Sequence, residues 1–196
     1  MQFLSMESWL IAVCVVVPIA VIVLAVVIWY ITTRNRLVAL NNDVDESFSA
    51  MDIHMKKRYD LIPNLVETCK GYTKHEHETL ARVTEARNNA MRAAPADRPQ
   101  AEKELSSSLR VLFNKVHEAY PELKANGQFN NLSSQLEQIE HEIAQSRKYY
   151  NAKIKLLNNK IQQFPSCIIA KRMGFERKAY YELDDVTERQ TPKVSF

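Results

Sequence analysis

An apolar run near the N-terminus constrains this chain more than any other feature of its sequence. Residues 9–31 contain no charged side chain and consist mostly of Val, Ile and other apolar residues. As a helix the run would be about 34 Å long, enough to cross a hydrocarbon core of about 30 Å. Because a lone segment in lipid must satisfy its backbone hydrogen bonds internally, we predict a transmembrane helix over residues 9–31, preceded by a short segment, residues 1–8.

The flanks of the apolar run predict its orientation in a membrane. Trp9, Trp29 and Tyr30 lie near its ends, where amphipathic rings anchor at the membrane interface, and Arg34 and Arg36 follow directly. Since basic flanks remain in the cytoplasm, we expect the N-terminus outside the cell and the body inside. The expected location is the cytoplasmic membrane, with membrane lipid as one partner.

A cleaved signal peptide is the alternative interpretation of the same run. A signal peptide has a basic n-region and an apolar stretch of about 7–15 residues. Residues 1–8 contain no Lys or Arg, and the apolar run is longer than that. The three cysteines show no pairing spacing, which fits a reducing compartment better than a disulfide framework. We therefore expect an uncleaved anchor.

The rest of the chain has the period of α-helices. Only 3 of its 196 residues are Gly, which disfavours folds rich in tight β-turns. Between residues 34 and 62 apolar residues recur at steps of three and four, which predicts one helical stripe. The stripe consists of Leu37, Leu40, Val44, Phe48, Met51, Met55, Tyr59 and Ile62.

Pro63 interrupts this stripe, which resumes at Leu65 and continues to Val83. Either the helix kinks at Pro63 or a new helix begins there, and we favour a kink or short break within one rod that ends near Ala93–Ala94. A shorter helix is expected over about residues 100–118. Asp97 is its expected cap, with Pro99 in its first turn.

The strongest pattern predicts a long final helix. Its heptad seam has one stutter at Tyr150, and Pro165 stops it. The seam comprises Phe129, Leu132, Leu136, Ile139, Ile143, Ser146, Tyr150, Ile154, Leu157, Ile161 and Phe164. Long amphipathic segments with short connections predict an all-α fold, an antiparallel bundle over residues 34–174. Residues 175–196 are expected to form an extended or poorly ordered tail.

Few residues indicate chemistry. His75 and His77 lie two positions apart, so a helix would not present both to one metal ion, and a solvated face is favoured. The run Lys56-Lys57-Arg58 is interpreted as part of a solvated exterior. The sequence places no catalytic, cofactor-binding or metal-ligating residue, and we expect no enzyme activity and no cofactor.

One polar motif surrounds Pro63. Tyr59, Asp60, Pro63, Asn64 and Glu67 lie at helical spacing beside a proline that frees backbone carbonyls. The structural interpretation is that Asp60 or Asn64 caps a restarted helix and Glu67 complements its first turn. The functional interpretation is a polar notch for a partner or a neighbouring subunit. The structural interpretation is favoured.

Several motifs resemble the LemA family across about residues 34–196. They are Val44-Asp45-Glu46-Ser47-Phe48-Ser49, residues 57–68, Gly71-Tyr72 with His75-Glu76, residues 119–125, Ser146-Arg147-Lys148-Tyr149-Tyr150-Asn151, Phe164-Pro165-Ser166 and Pro192-Lys193-Val194-Ser195-Phe196. The resemblance implies a bacterial single-pass membrane protein with its N-terminus outside and a cytoplasmic helical bundle. It implies no catalytic residues.

The functional hypothesis is a membrane-anchored scaffold or interaction protein. The long seam, together with apolar residues that one bundle does not fully bury (Tyr149 and Ile168–Ile169), predicts self-association into a homo-oligomer or docking of another membrane or cytoplasmic protein. An oligomeric pore or transport role is the first alternative, and a metal-dependent enzyme is the second. A net charge of +3 does not favour nucleic acid as a partner.

Overall fold

The structure, a computed structural model, describes residues 2–72 and 76–181, with side chains from residue 15 onward. The described chain is helical and contains no strand within those ranges, which confirms the predicted all-α class. Its elements are α1 (Gln2–Lys70), α2 (His77–Arg92), α3 (Arg98–Ala119), α4 (Pro121–Lys124), α5 (Gly127–Gln162) and α6 (Ser166–Arg172).

Helix α1 is continuous from Gln2 to Lys70. A short break at Pro63 is therefore wrong, and so is the restarted helix of the alternative, whereas a kink within the continuous helix stays a prediction. The first long rod also does not reach Ala93, because α1 ends before a turn at Gly71 and Tyr72 and a separate helix α2 follows. A glycine costs about 1 kcal/mol relative to alanine inside a helix, so Gly71 is the favoured stopping point.

The contacts divide the described chain into two units. Unit 1 takes the residues up to Glu46 together with Ala152–Ala179. Unit 2 takes Ser47–Asn151 and the described residues from Tyr180 onward. Helices α1 and α5 each contribute to both units.

Unit 2 is a helical bundle around one apolar core. Its α1 and α5 segments run antiparallel, since Phe48 packs against Tyr150 and Arg58 binds Glu140. Helices α2 and α3 add the residues that the helical period predicted. The core includes Met51, Met55, Ile62, Leu65, Cys69, Leu80, Val83, Leu105, Leu109, Leu112, Val116, Leu123, Phe129, Leu132, Leu136, Ile139 and Ile143.

The helix ends in unit 2 show which predicted caps are made. Asp97 occupies the N-cap position of α3, as predicted, but its side chain makes no capping hydrogen bond. Asn126, before α5, accepts hydrogen bonds at Oδ1 from the backbone N–H groups of Gln128 and Phe129 at 2.9 and 3.0 Å. This side-chain oxygen satisfies donors that the first turn of a helix leaves unpaired.

Unit 1 holds a smaller apolar cluster. Leu37 of α1 and Ile169 and Ala170 of α6 are buried together. Tyr30, Ile161, Met173 and Phe175 pack against them. The predicted seam of α5 is buried at Ile154 and Leu157, but it does not extend to Phe164, which is 82% exposed.

Residues 175–181, the described part of the predicted C-terminal tail, are extended and form hydrogen bonds with side chains of α5. In unit 1, Asn158 donates from Nδ2 to the carbonyl of Lys178 at 2.9 Å and accepts from its N–H at 3.0 Å. In unit 2, Asn151 makes the same pair of bonds with Tyr181, at 3.1 and 2.9 Å. Each side-chain amide thus satisfies both backbone groups of one extended residue.

Candidate functional site

The predicted motif around Pro63 lies in unit 2 on an unbroken helix. Tyr59 is buried, whereas Asp60, Pro63, Asn64 and Glu67 are exposed. A proline has no N–H, so the carbonyl of the residue four positions earlier loses its helical donor. That carbonyl belongs to Tyr59, and it accepts a hydrogen bond from Nε of Arg87 on α2 at 2.7 Å.

This contact explains why α1 does not break at Pro63. The donor comes from a neighbouring helix, so the freed carbonyl is paired without a restart of the helix. Capping by Asp60 or Asn64 is therefore wrong as a description of this segment. The notch interpretation stays a prediction, now confined to an exposed face formed by Asp60, Pro63, Asn64 and Glu67.

The charged centre of unit 2 is Arg58, which has the largest side chain buried below 2% exposure among the residues whose side chains are described. Its Nη2 binds Glu102 of α3, and its Nη1 binds Glu140 of α5 and the Ser106 hydroxyl, the last at 3.0 Å. The expectation that Arg58 belongs to a solvated exterior is wrong. A guanidinium presents five donors in a planar fork, which suits an ion that connects three helices.

A second layer of hydrogen bonds surrounds the arginine. Ser106 donates to Oε1 of Glu140 at 3.0 Å, and the Tyr59 hydroxyl donates to Oε1 of Glu102. Burial, followed by the hydrogen bond to Glu102, raises the pKa of Tyr59 well above its usual range. Tyr59 therefore stays a neutral donor at physiological pH.

Tyr181 covers this centre from the extended C-terminal segment. Its ring packs edge-on to Tyr150 with centroids 6.5 Å apart, and Tyr150 contacts Phe48. Burial, followed by the negative charge of Glu102, raises the pKa of Tyr181 above its usual range. No residue within the described ranges forms a hydrogen bond with its hydroxyl.

Further ion pairs flank the centre. Arg98 binds Asp52 at 2.9 Å, and its guanidinium carbon lies 5.8 Å from the centroid of the Phe48 ring. On α5, Glu142 lies 2.9 Å from Nδ1 of His54. The pKa of Glu142 lies below its usual range. The largest cause is the hydrogen bond that Gln138 donates, which burial opposes. The charge of His54 lowers the pKa further.

A groove of about 930 Å³ lies beside this centre, between α3 and α5. Leu109, Phe113, Leu136 and Ala144 supply its apolar side chains. Its polar lining residues are Ser106, Arg110, His117, Ser133, Ser134, Glu137, Gln138, Glu140 and His141. The sequence motifs did not predict this groove.

His75, His77 and their neighbours are the residues considered for the alternative of a metal-dependent enzyme. His77 and Glu78 are exposed on α2, and Glu76 binds Lys115 at 2.7 Å. His75 lies outside the described residues. Within the described ranges, no group of three or more His, Cys, Asp or Glu side chains is arranged to hold a metal ion.

The apolar run forms the N-terminal part of α1 and is exposed. From Val15 to Ile28 its large apolar side chains have exposed fractions between 47% at Val27 and 62% at Val16 and Ile22. Among the described helices, α1 alone is long and apolar enough to cross a membrane. This arrangement is consistent with a membrane-anchored protein.

The predicted interface anchors all lie on α1. Trp29, Arg34 and Arg36 are exposed, and Tyr30 is half-buried against the apolar cluster of unit 1. The side chain of Trp9 lies outside the described residues. Their contact with lipid stays a prediction.

Comparison with known proteins identifies the family. A family model described as the LemA family matches residues 47–196. This chain belongs to the LemA family. Protein LemA of Metamycoplasma hominis (strain ATCC 23114 / DSM 25592 / NBRC 14850 / NCTC 10111 / PG21) is 24% identical over 158 residues, which cover 80% of this chain and 72% of that protein. The resemblance inferred from the motifs is thus confirmed, although the family match begins at Ser47, where unit 2 begins, and not near residue 34.

Proposed function

We infer that this LemA-family protein is a single-pass membrane-anchored interaction protein that acts by binding and not by catalysis. The observation that carries the proposal is the exposure of the apolar run on the same continuous helix whose later part is packed into the bundle. A helix with apolar side chains on all sides needs an apolar surrounding, and no described part of the chain supplies one between Val15 and Ile28.

The proposed orientation places the N-terminus outside and the helical units in the cytoplasm. Arg34 and Arg36 follow the apolar run and are exposed on α1. Basic residues beside a membrane span favour the cytoplasmic side. Protease treatment of spheroplasts that carry a C-terminal tag tests this orientation. We expect the tag to be protected until the membrane is permeabilised, and cleavage in intact spheroplasts would contradict it.

The proposed partner is a second copy of the chain, bound through the α3–α5 groove. The groove has an apolar floor and both charge signs on its rim, with Arg110 and Glu137 exposed. Tethering in a membrane raises the effective concentration of copies, so a modest interface is enough for association. The Arg58 centre fixes the helices that form the groove, because its charges are bound within the bundle.

The mass of the full-length protein in lipid nanodiscs or detergent tests self-association. Ser134→Trp places a large ring in the groove, and Ser107→Trp is the matched control, because Ser107 is exposed on α3 but does not line the groove. We expect an oligomer for the unaltered chain and for Ser107→Trp, and a smaller species for Ser134→Trp. A monomer at all concentrations, or equal effects of the two variants, would overturn self-association through the groove.

A further inference from the structure

The end of α5 in unit 1 returns toward the apolar run of α1. Lys153 of α5 binds Asp43 of α1 at 3.1 Å. Further along α5, Ile161 packs in the cluster that contains Leu37 and Tyr30. Later residues of α5 therefore meet earlier residues of α1, so the two segments are antiparallel within this unit.

The rise per residue of a helix gives the position of the end of α5 relative to the apolar run of α1. Asp43 lies about 18 Å along α1 beyond Ile31, the last residue of the apolar run. Gln162, the last residue of α5, lies about 14 Å along the helix beyond Lys153, in the direction of the apolar run, and Phe164 follows in the turn before α6. The turn that contains Phe164 thus begins within about 5 Å of the level at which the apolar run ends.

The corner between α5 and α6 exposes large apolar side chains at that level. Phe164 is 82% exposed and Ile168 is 60% exposed, whereas the adjacent Ile169 is buried against Leu37. Helix α6 thus has one face that packs on α1 and a neighbouring face with an apolar residue that the described chain does not cover.

The charge of this region is strongly positive. Residues 152–179 contain one acidic side chain, Glu176. Their basic side chains are Lys153, Lys155, Lys160, Lys171, Arg172, Arg177 and Lys178. Lys171 and Arg172 are exposed on α6, near the apolar corner. Aromatic and aliphatic residues beside Lys and Arg are typical of segments that lie in the interface of an anionic membrane.

We propose that the α5–α6 corner, Phe164 and Ile168 with Lys171 and Arg172, is a second membrane-binding site that inserts into the leaflet from which α1 emerges. The apolar side chains enter the interfacial layer, and the basic side chains bind anionic lipid headgroups. The proposal rests on the proposed anchoring of α1, because that helix sets the level of the corner relative to the bilayer.

Tryptophan fluorescence of the full-length protein in vesicles tests this site. The vesicles contain phosphatidylcholine and phosphatidylglycerol with brominated acyl chains, which quench tryptophan in the bilayer. Phe164→Trp is made in a chain in which Trp9 and Trp29 are replaced by Phe. Leu156→Trp in the same background is the matched control, because Leu156 is also exposed in unit 1 but lies about 9 Å before the end of α5, farther from the apolar run. That distance exceeds the headgroup layer of about 5–7 Å.

We expect bromolipid to quench Phe164→Trp and to leave Leu156→Trp near its unquenched intensity. Lys171→Gln with Arg172→Gln should reduce the quenching of Phe164→Trp, and so should omission of phosphatidylglycerol. Equal quenching of the two tryptophans would overturn the proposal. A blue-shifted but unquenched Phe164→Trp that depends on protein concentration would also overturn it, since a second chain would then cover the corner.

The anchoring of α1 is measured separately by a chain that keeps Trp29 alone. Quenching of Trp29 without quenching of Phe164→Trp would reject the second site and leave the anchor intact. Absence of quenching at Trp29 would reject the proposed anchor itself.

Discussion

Arg87 donates a hydrogen bond from Nε to the carbonyl oxygen of Tyr59 over 2.7 Å, and this bond replaces the one that Pro63 removes. Arg87→Ala should therefore lower the free energy of unfolding by about 1–2 kcal/mol, because the carbonyl loses its donor. In a Pro63→Ala background the new N–H of residue 63 can bind the carbonyl, so the same substitution should cost less. Urea unfolding of the bundle in detergent, followed by circular dichroism, gives this double-mutant cycle.

Arg82→Ala is the matched control for Arg87. Arg82 is exposed on the same helix and pairs with Glu78 one turn away. An exposed pair of this kind contributes about 0.3–0.5 kcal/mol. An equal cost of Arg87→Ala with and without Pro63 would show that the two residues act independently.

The two carboxylates that bind Arg58 should differ in their contribution to stability. The Glu102 side chain is almost fully buried, whereas that of Glu140 is 49% exposed. Removal of a buried partner leaves a charge without compensation and costs about 3–5 kcal/mol, whereas water can replace an exposed one. Glu102→Gln should therefore destabilise the bundle far more than Glu140→Gln in the same unfolding assay. Similar losses for both variants would contradict this assignment.

Tyr181 should stabilise unit 2 through its ring and not through its hydroxyl. The hydroxyl is buried without a hydrogen-bond partner in the described chain, so Tyr181→Phe should leave stability unchanged or raise it by about 1 kcal/mol. Tyr181→Ala should cost about 3–5 kcal/mol because it removes the ring that packs on Tyr150. Thermal unfolding of both variants in detergent measures the difference. A loss above about 1 kcal/mol for Tyr181→Phe would show that the hydroxyl has a partner.

Stability should fall at alkaline pH because of Cys69. Burial raises the pKa of this thiol from 9.0 to about 11. The unfolded chain loses the thiol proton at lower pH than the folded chain, so the stabilisation is complete below pH 9 and is lost as the pH rises to about 11. The loss is on the order of 3 kcal/mol.

Cys69→Ala tests the alkaline effect through the slope of stability against pH between pH 9 and 10. The slope should flatten in this variant, even though the lost packing lowers stability at every pH. Cys167→Ala, which removes a half-buried thiol from unit 1, controls for thiol loss. An unchanged slope in Cys69→Ala would contradict the assignment. Above pH 10, Tyr59 and Tyr181 should lower stability further for the same reason.

Helical period was enough to predict which face of α3 is buried. Leu105, Leu109, Leu112 and Val116 are buried in α3 as expected, because the period of an α-helix is a local property of the chain. The cap position of Asp97 was also predictable. Its missing side-chain bond was not, since a hydrogen bond depends on the final backbone geometry.

The Arg58 centre could not be predicted from the sequence. Arg58 follows Lys56 and Lys57, which are both exposed, and its partners lie 44 and 82 residues away. Only the packing of α3 and α5 on α1 brings two carboxylates and a serine to it. The prediction that the buried seam of the last long helix extends to Phe164 was wrong for a related reason, because no described helix packs over Phe164.

The sequence by itself determined the apolar run, the all-α class, the buried face of most helices and the family. These properties follow from composition, period and local motifs, which do not depend on distant contacts. Only the tertiary structure decided that α1 continues past Pro63, that Arg58 is buried, and that the basic α5–α6 corner reaches the level of the apolar run. The reason is that each of these depends on a donor, a charge or a surface supplied by residues far along the chain.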